Sequence, residues 1–126
     1  MESAYERKDA AGLVALLQRH AADRALAAMA CGRVGLLADN NPAAQGPLGA
    51  AGAVAAVLAA MRAHAADELV QGRGCYALYF LVKDEHAANK ALARAAGAEA
   101  VVRTAMGNHP GHKFVQIYGG YALENL

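Results

Sequence analysis

Val70-Gln-Gly-Arg-Gly-Cys-Tyr-Ala-Leu-Tyr-Phe-Leu81 decides the fold, because its pattern returns forty-five residues later as Val115-Gln-Ile-Tyr-Gly-Gly-Tyr-Ala-Leu-Glu-Asn-Leu126. At that one offset Val70 maps onto Val115, Gln71 onto Gln116, Gly74 onto Gly119, Tyr76 onto Tyr121 and Leu81 onto Leu126. The register holds upstream, where Gly52 pairs with Gly97, Val57 with Val102, Met61 with Met106 and His64 with His109. A fixed period of this length is the mark of a repeat protein, in which each unit buries its apolar face on its neighbours. A fainter copy opens the chain. The Gly12 to His20 segment resembles Gly52 to His64, and Cys31, Val34 and Leu37 stand forty-four residues before Cys75, Leu78 and Leu81. The chain therefore reads as one domain of three units, about 1–40, 41–84 and 85–126.

Composition agrees with an all-α fold. The 126 residues are rich in Ala, Leu and Val, with no Trp and two Phe, and Ala and Leu head the helix-propensity ranking. Net charge is +1 with no block of like charges, so the basic footprint of a nucleic-acid or anionic-membrane surface is not present. Acidic and basic residues mix over 1–10 before any apolar run, the wrong order for a secretory signal, and the chain is read as cytoplasmic with the nucleus open to it. The uncharged run from Asn40 to Met61 carries Asn41, Pro42, Gln45 and Pro47. Its apolar remainder is too short to span a bilayer and reads as buried core.

Nine helices in three sets are expected. In the first unit a short helix from Glu2 or Ser3 runs to about Ala11, Gly12 breaks it, and Leu13, Val14, Leu16 and Leu17 line a second helix ending at His20. A third helix follows Asp23, with Leu26, Met29, Ala30, Val34 and Leu37 at three- and four-residue steps, and stops at Asp39-Asn-Asn-Pro42. Units two and three open with helices over 43–50 and 87–95, turn at Gly52 or Gly97, run a second helix to His64 or Asn108-His109-Pro110, and end on the third helix quoted above. Gly74, Gly119 and Gly120 each cost about 1 kcal/mol relative to Ala inside a helix, which points to close approach of neighbouring helices.

This plan resembles the armadillo repeat. The resemblance rests on a short helix, a glycine, a second helix, a loop, and a long third helix of the form Val-Gln-x-x-Gly-Cys-aromatic-Ala-Leu-x-x-Leu. It is strongest from Asn89 to Pro110 and on through Val115-Gln116 to Leu126. It implies a right-handed superhelix of three three-helix repeats whose third helices line a concave groove for extended peptides or proteins. In nuclear-import adaptors of that family a Trp, and an Asn one turn later, recur along the groove. Here Gly32, Tyr76 and Tyr121 fill the first position and Leu36, Phe80 and Asn125 the second, so that ladder is absent. The groove implied instead is lined by Arg73, Tyr76, Phe80, Tyr118, Tyr121 and Asn125. Tyr79 leaves that face and is expected to be half-buried packing, while Arg73, Gln71 and Gln116 read equally well as ordinary solvated residues.

Other chemistries find no support in the residues. Cys31 and Cys75 hold equivalent places on successive third helices, whose axes pack about 8–10 Å apart, whereas a disulfide needs Cα atoms within about 7 Å. Two buried free thiols are expected. His20, His64 and His109 recur where second helices end and can offset the negative end of the helix dipole. His109 and His112 offer two metal ligands, with no carboxylate or thiol at useful spacing. No phosphate loop, Gly-x-Ser-x-Gly elbow or paired-carboxylate motif is present, and the cysteines fall on core-facing positions, so neither catalysis nor a cofactor is expected. The expected function is a non-catalytic protein-interaction module. The alternative is a structural subunit of a larger assembly, docked through open solenoid ends, with Leu123 and Leu126 exposed for association at the C-terminal face.

Overall fold

The computed structural model describes residues 4–84 and 86–126, with side chains from Asp9 onward. The described residues form eight α-helices and no strand: α1 Ala4–Arg19, α2 Arg24–Asn40, α3 Gln45–Ala50, α4 Ala53–Ala63, α5 Glu68–Val82, α6 Ala87–Ala95, α7 Ala98–Asn108 and α8 Lys113–Glu124. A 3-10 turn over Pro42–Ala44 leads into α3. The expected helix start at Glu2 or Ser3 lies outside the described residues.

Gly12 does not break the first unit; α1 runs through it without interruption. The difference from the other two glycines is conformational. Gly52 and Gly97 adopt φ of 97° and 79°, the left-handed region that only glycine enters at little cost, and each caps the start of the next helix. Gly12 is an ordinary helical residue with open space where a Cβ would stand. The first unit thus has two helices where three were expected.

Polar side chains set the ends of the long helices. Asp23 accepts from the backbone N–H of Ala25 and Leu26 (3.0 and 3.1 Å) at the start of α2, and Asp67 accepts from Val70 N–H (3.0 Å) at the start of α5. His112 plays the same part for α8, its Nδ1 accepting from Val115 N–H at 3.4 Å. Asn41 and Pro42 end α2 as the sequence predicts, Asn41 Oδ1 capping the 3-10 turn.

The helices pack in rows. α5 packs against both α2 and α8, α4 against α1 and α7, and α3 against α6. Leu17, Leu48, Leu58, Leu78 and Leu81 are fully buried between them, each contributing about 1.5–3 kcal/mol. The apolar run after Asn40 belongs to this core. Its two halves, Pro42–Ala50 and Ala53–Ala63, bend by 75° at the glycine turn, and no single helix among the described residues is long and apolar enough to cross a membrane.

Each unit is tied to the one before it. His64 Nε2 donates to the Ala21 carbonyl at 2.7 Å, and His109 Nε2 to the Ala65 carbonyl at 2.8 Å; a carbonyl only accepts, so the ring nitrogen carries the proton. Gln71 Nε2 donates to Met61 and His64 carbonyls (2.8 Å each), and Gln116 Nε2 to those of Met106 and His109 (2.9 and 3.1 Å). These glutamines are clamps on the last turn of α4 and α7 rather than solvated residues, and Gln71 is buried. Gly74 faces Met61 and Gly119 faces Met106 so closely that a Cβ would meet the Met Cγ at 2.5 and 3.0 Å. Gly120 has open space beside it, and nothing in the structure explains it.

The candidate groove

α2, α5 and α8 share one surface, hollowed into a cavity of about 440 Å³. α2 contributes Met29, Gly32, Arg33, Leu36 and Asp39, α5 contributes Arg73 and Tyr76, and α8 contributes Phe114 and Tyr118. The α2 positions recur at three- and four-residue steps, one stripe of the helix. A smaller hollow of about 270 Å³, lined by Leu69, Gly72, Arg73, His112 and Phe114, continues the first past Arg73.

The floor is aromatic. Tyr76 meets Tyr118 edge-on at 5.0 Å between ring centroids and Phe80 at 5.0 Å; Phe114 meets Tyr118 at 5.2 Å. Such pairs each add about 0.5–1.5 kcal/mol beyond their area. Lys83 Nζ stands 5.2 Å from the Phe80 centroid at the far end. Tyr79 is half-buried against the core as expected and does not line the hollow, but it contacts Phe80, Tyr118 and Tyr121, the last at 5.2 Å. Its ring bridges toward α8, a contact invisible in the α5 pattern alone.

The six expected groove residues separate by exposure and contact. Arg73, Tyr76 and Tyr118 line the cavity together. Phe80 is buried beneath them, and Tyr76 is only 8% exposed against 44% for Tyr121. Tyr76 is low because its ring packs against Gly35 of α2 on one side and the α8 aromatics on the other. Its hydroxyl donates to Asp39 Oδ2 at 3.1 Å, and burial, reinforced by that bond and charge, pushes the phenol up to about 12. Asn125 is outside the cavity; its Nδ2 donates to the Tyr121 carbonyl at 2.8 Å, closing the last turn of its own helix.

Sequence reasoning did not identify Met29, Arg33, Asp39 or Phe114 as lining residues. The stripe 29, 32, 33, 36 was the available signal on α2. Phe114 lies before the echo, in the loop-to-helix junction, and its place over Gly72 depends on the missing side chain there. Asn89 was also missed. It is buried, its Nδ2 donating to the Gln45 and Leu81 carbonyls (2.9 and 2.8 Å), while Gln45 Nε2 donates to the Phe80 carbonyl at 2.8 Å.

Elsewhere the polar groups are occupied with structure. A hollow of about 580 Å³ beside Arg24, His64 and Asp67 is larger, yet Asp67 caps α5 and pairs with Arg24 at 4.0 Å, and His64 is bonded to Ala21. Among the described residues no three His, Cys, Asp or Glu side chains gather as a metal site. Cys31 and Cys75 are buried and free, and burial raises both thiols from the usual 9.0 to about 12, far from the thiolate a nucleophile needs. Leu123 and Leu126 are half-buried against the core, not bare; the exposed apolar side chains of α8 are Phe114, Ile117 and Tyr121.

No family model, curated protein or solved structure matches the chain.

Proposed function

We propose that the three units stack as an armadillo-like solenoid and that the chain is a non-catalytic protein-interaction module, holding an extended peptide or protein segment in the groove across α2, α5 and α8. The observation that carries this reading is the cavity itself. It is a hollow of about 440 Å³ that joins side chains from all three units over an aromatic floor, with arginine and tyrosine, the residues enriched at interface hot spots, at its wall. Substituting Tyr118 or Phe114 by Ala should weaken partner binding by about 1–2 kcal/mol or more with the fold retained, since neither ring is fully buried. Unchanged binding in both variants would refute the groove.

A second reading has its own observation. Ile117 and Tyr121, with Phe114 at the wall of the hollow, lie at steps of three and four along α8 and are each close to half exposed. They offer the surface by which a structural subunit would dock in a larger assembly or on a second copy. Light scattering over a concentration series separates the two, a constant monomer mass favouring the groove reading.

A further inference from the structure

Resting on the groove reading above, we propose that the occupant is acidic: an extended peptide in which an aspartate or glutamate side chain stands beside a large apolar one. Arg33 of α2 and Arg73 of α5 line the same cavity, and among the described residues no hydrogen bond or ion pair engages either guanidinium. Two unpartnered cations from different helices at one hollow are complementary to carboxylate, which a guanidinium fork grips through paired N–H donors.

Arg73 is held ready for this. Its stem crosses α2 at Gly32, with Cδ 3.2 Å and Nε 3.6 Å from where a Cβ at that position would stand. A larger residue there would push the stem away. A side chain already confined in the free protein loses less freedom on binding. The apolar neighbour of the acid has its own place, over Met29, Leu36, Phe114 and the Tyr118 ring.

Asp39 gives the groove polarity. It lies six residues beyond Arg33 on the same helix, about 9 Å along the axis at 1.5 Å per residue, and it receives the Tyr76 hydroxyl. An acidic side chain is repelled from that end and drawn to the arginine end. Two arginines and one aspartate do not form the continuous basic track that single-stranded nucleic acid requires, so a peptide fits the charge pattern better.

The test selects random twelve-residue peptides displayed on phage against the purified chain, and titrates fluorescein-labelled synthetic versions by anisotropy. Expected is a consensus of Asp or Glu next to Phe, Tyr, Trp or Leu. Changing that acid to Asn or Gln, or making Arg33→Ala or Arg73→Ala in the protein, should each weaken binding about tenfold or more, and Asp39→Asn should tighten it. Arg33 is exposed, so Arg33→Ala reports on the proposal even where Arg73→Ala perturbs folding. A basic or uncharged consensus whose binding is lost in Tyr118→Ala would overturn the acidic occupant while leaving the groove intact. Peptides indifferent to Tyr118→Ala would overturn both. A phosphoserine peptide bound a hundredfold more tightly than its Asp counterpart, or displacement by a single-stranded oligonucleotide, would reassign the arginines to phosphate and overturn the proposal as well.

Discussion

Tyr76 of α5 seats the edge of its ring on Gly35 of α2, so closely that a Cβ at position 35 would overlap Cδ2 and Cε2 of the ring and stand 3.3 Å from Ala77 Cα. The ring has little room to retreat, because Phe80 and Tyr118 meet it edge-on and its hydroxyl is bonded to Asp39. Gly35→Ala should therefore destabilise the chain despite the better helix propensity of Ala, by about 1–3 kcal/mol as expected of overpacking. Urea unfolding checks this. Tyr76→Ala should cost more, about 3–5 kcal/mol in the manner of a buried aromatic, and Tyr121→Ala little, because Tyr121 is exposed.

Glycines without a close neighbour should respond in the opposite direction. Gly12 and Gly120 both lie inside helices with nothing within 4 Å of where a methyl would stand, so Gly12→Ala and Gly120→Ala should each stabilise by about 0.5–1 kcal/mol. At Gly52 or Gly97 the same change meets φ of 97° or 79° and should destabilise. Thermal denaturation of the four variants distinguishes a continuous α1 from a helix broken at Gly12, since a break would put Gly12→Ala with the second pair.

The period of forty-five made most of the helices legible, because equivalent residues do equivalent work: Gly74 and Gly119 on Met61 and Met106, Gln71 and Gln116 on the ends of α4 and α7. What the period could not carry is what lies next to each copy. Tyr76 and Tyr121 hold the same place in their units, yet the first is covered by α8 and the second is not. Gly12 looked like Gly52 because a glycine does not state its own φ. Asn89 and Gln45 escaped notice since their partners are backbone carbonyls of other elements, which no side-chain pattern records.

Those carbonyls make a separate prediction. Asn89→Ala leaves the Gln45 and Leu81 carbonyls without their shared donor, and Gln71→Ala does the same to Met61 and His64. The His64 carbonyl keeps the Asp67 N–H at 3.0 Å, but a buried acceptor left unpaired costs about 1–3 kcal/mol, so each variant should lose about 1–3 kcal/mol in chemical denaturation. Gln116 is only partly buried, and Gln116→Ala should lose less because water can replace its amide.

Alkaline pH should destabilise the fold. Cys31 and Cys75 rise from 9.0 to about 12 by burial, and Tyr76 from 10.0 to about 12. An acid whose pKa is raised in the folded state leaves stability complete below about pH 9 and falling as pH climbs toward 12, by up to about 1.4 kcal/mol per pH unit for each thiol. The Tyr76 phenol contributes less, because its hydroxyl opens on the cavity and solvent screens it. Urea midpoints across that window should decline, and less steeply in a Cys31→Ala, Cys75→Ala double variant. In the native protein neither thiol should react readily with a thiol-specific reagent at about pH 8, reaction appearing only on unfolding.

The groove is tested most directly by mapping backbone amide and side-chain NMR shifts while a phage-selected peptide is titrated into the labelled chain. The account predicts that the largest changes fall on Met29, Arg33, Leu36, Arg73, Phe114 and Tyr118, the residues that three helices bring to one hollow. Changes confined to the α4 and α7 surface, or to Ile117 and the C-terminal turn with the hollow unaffected, would contradict it.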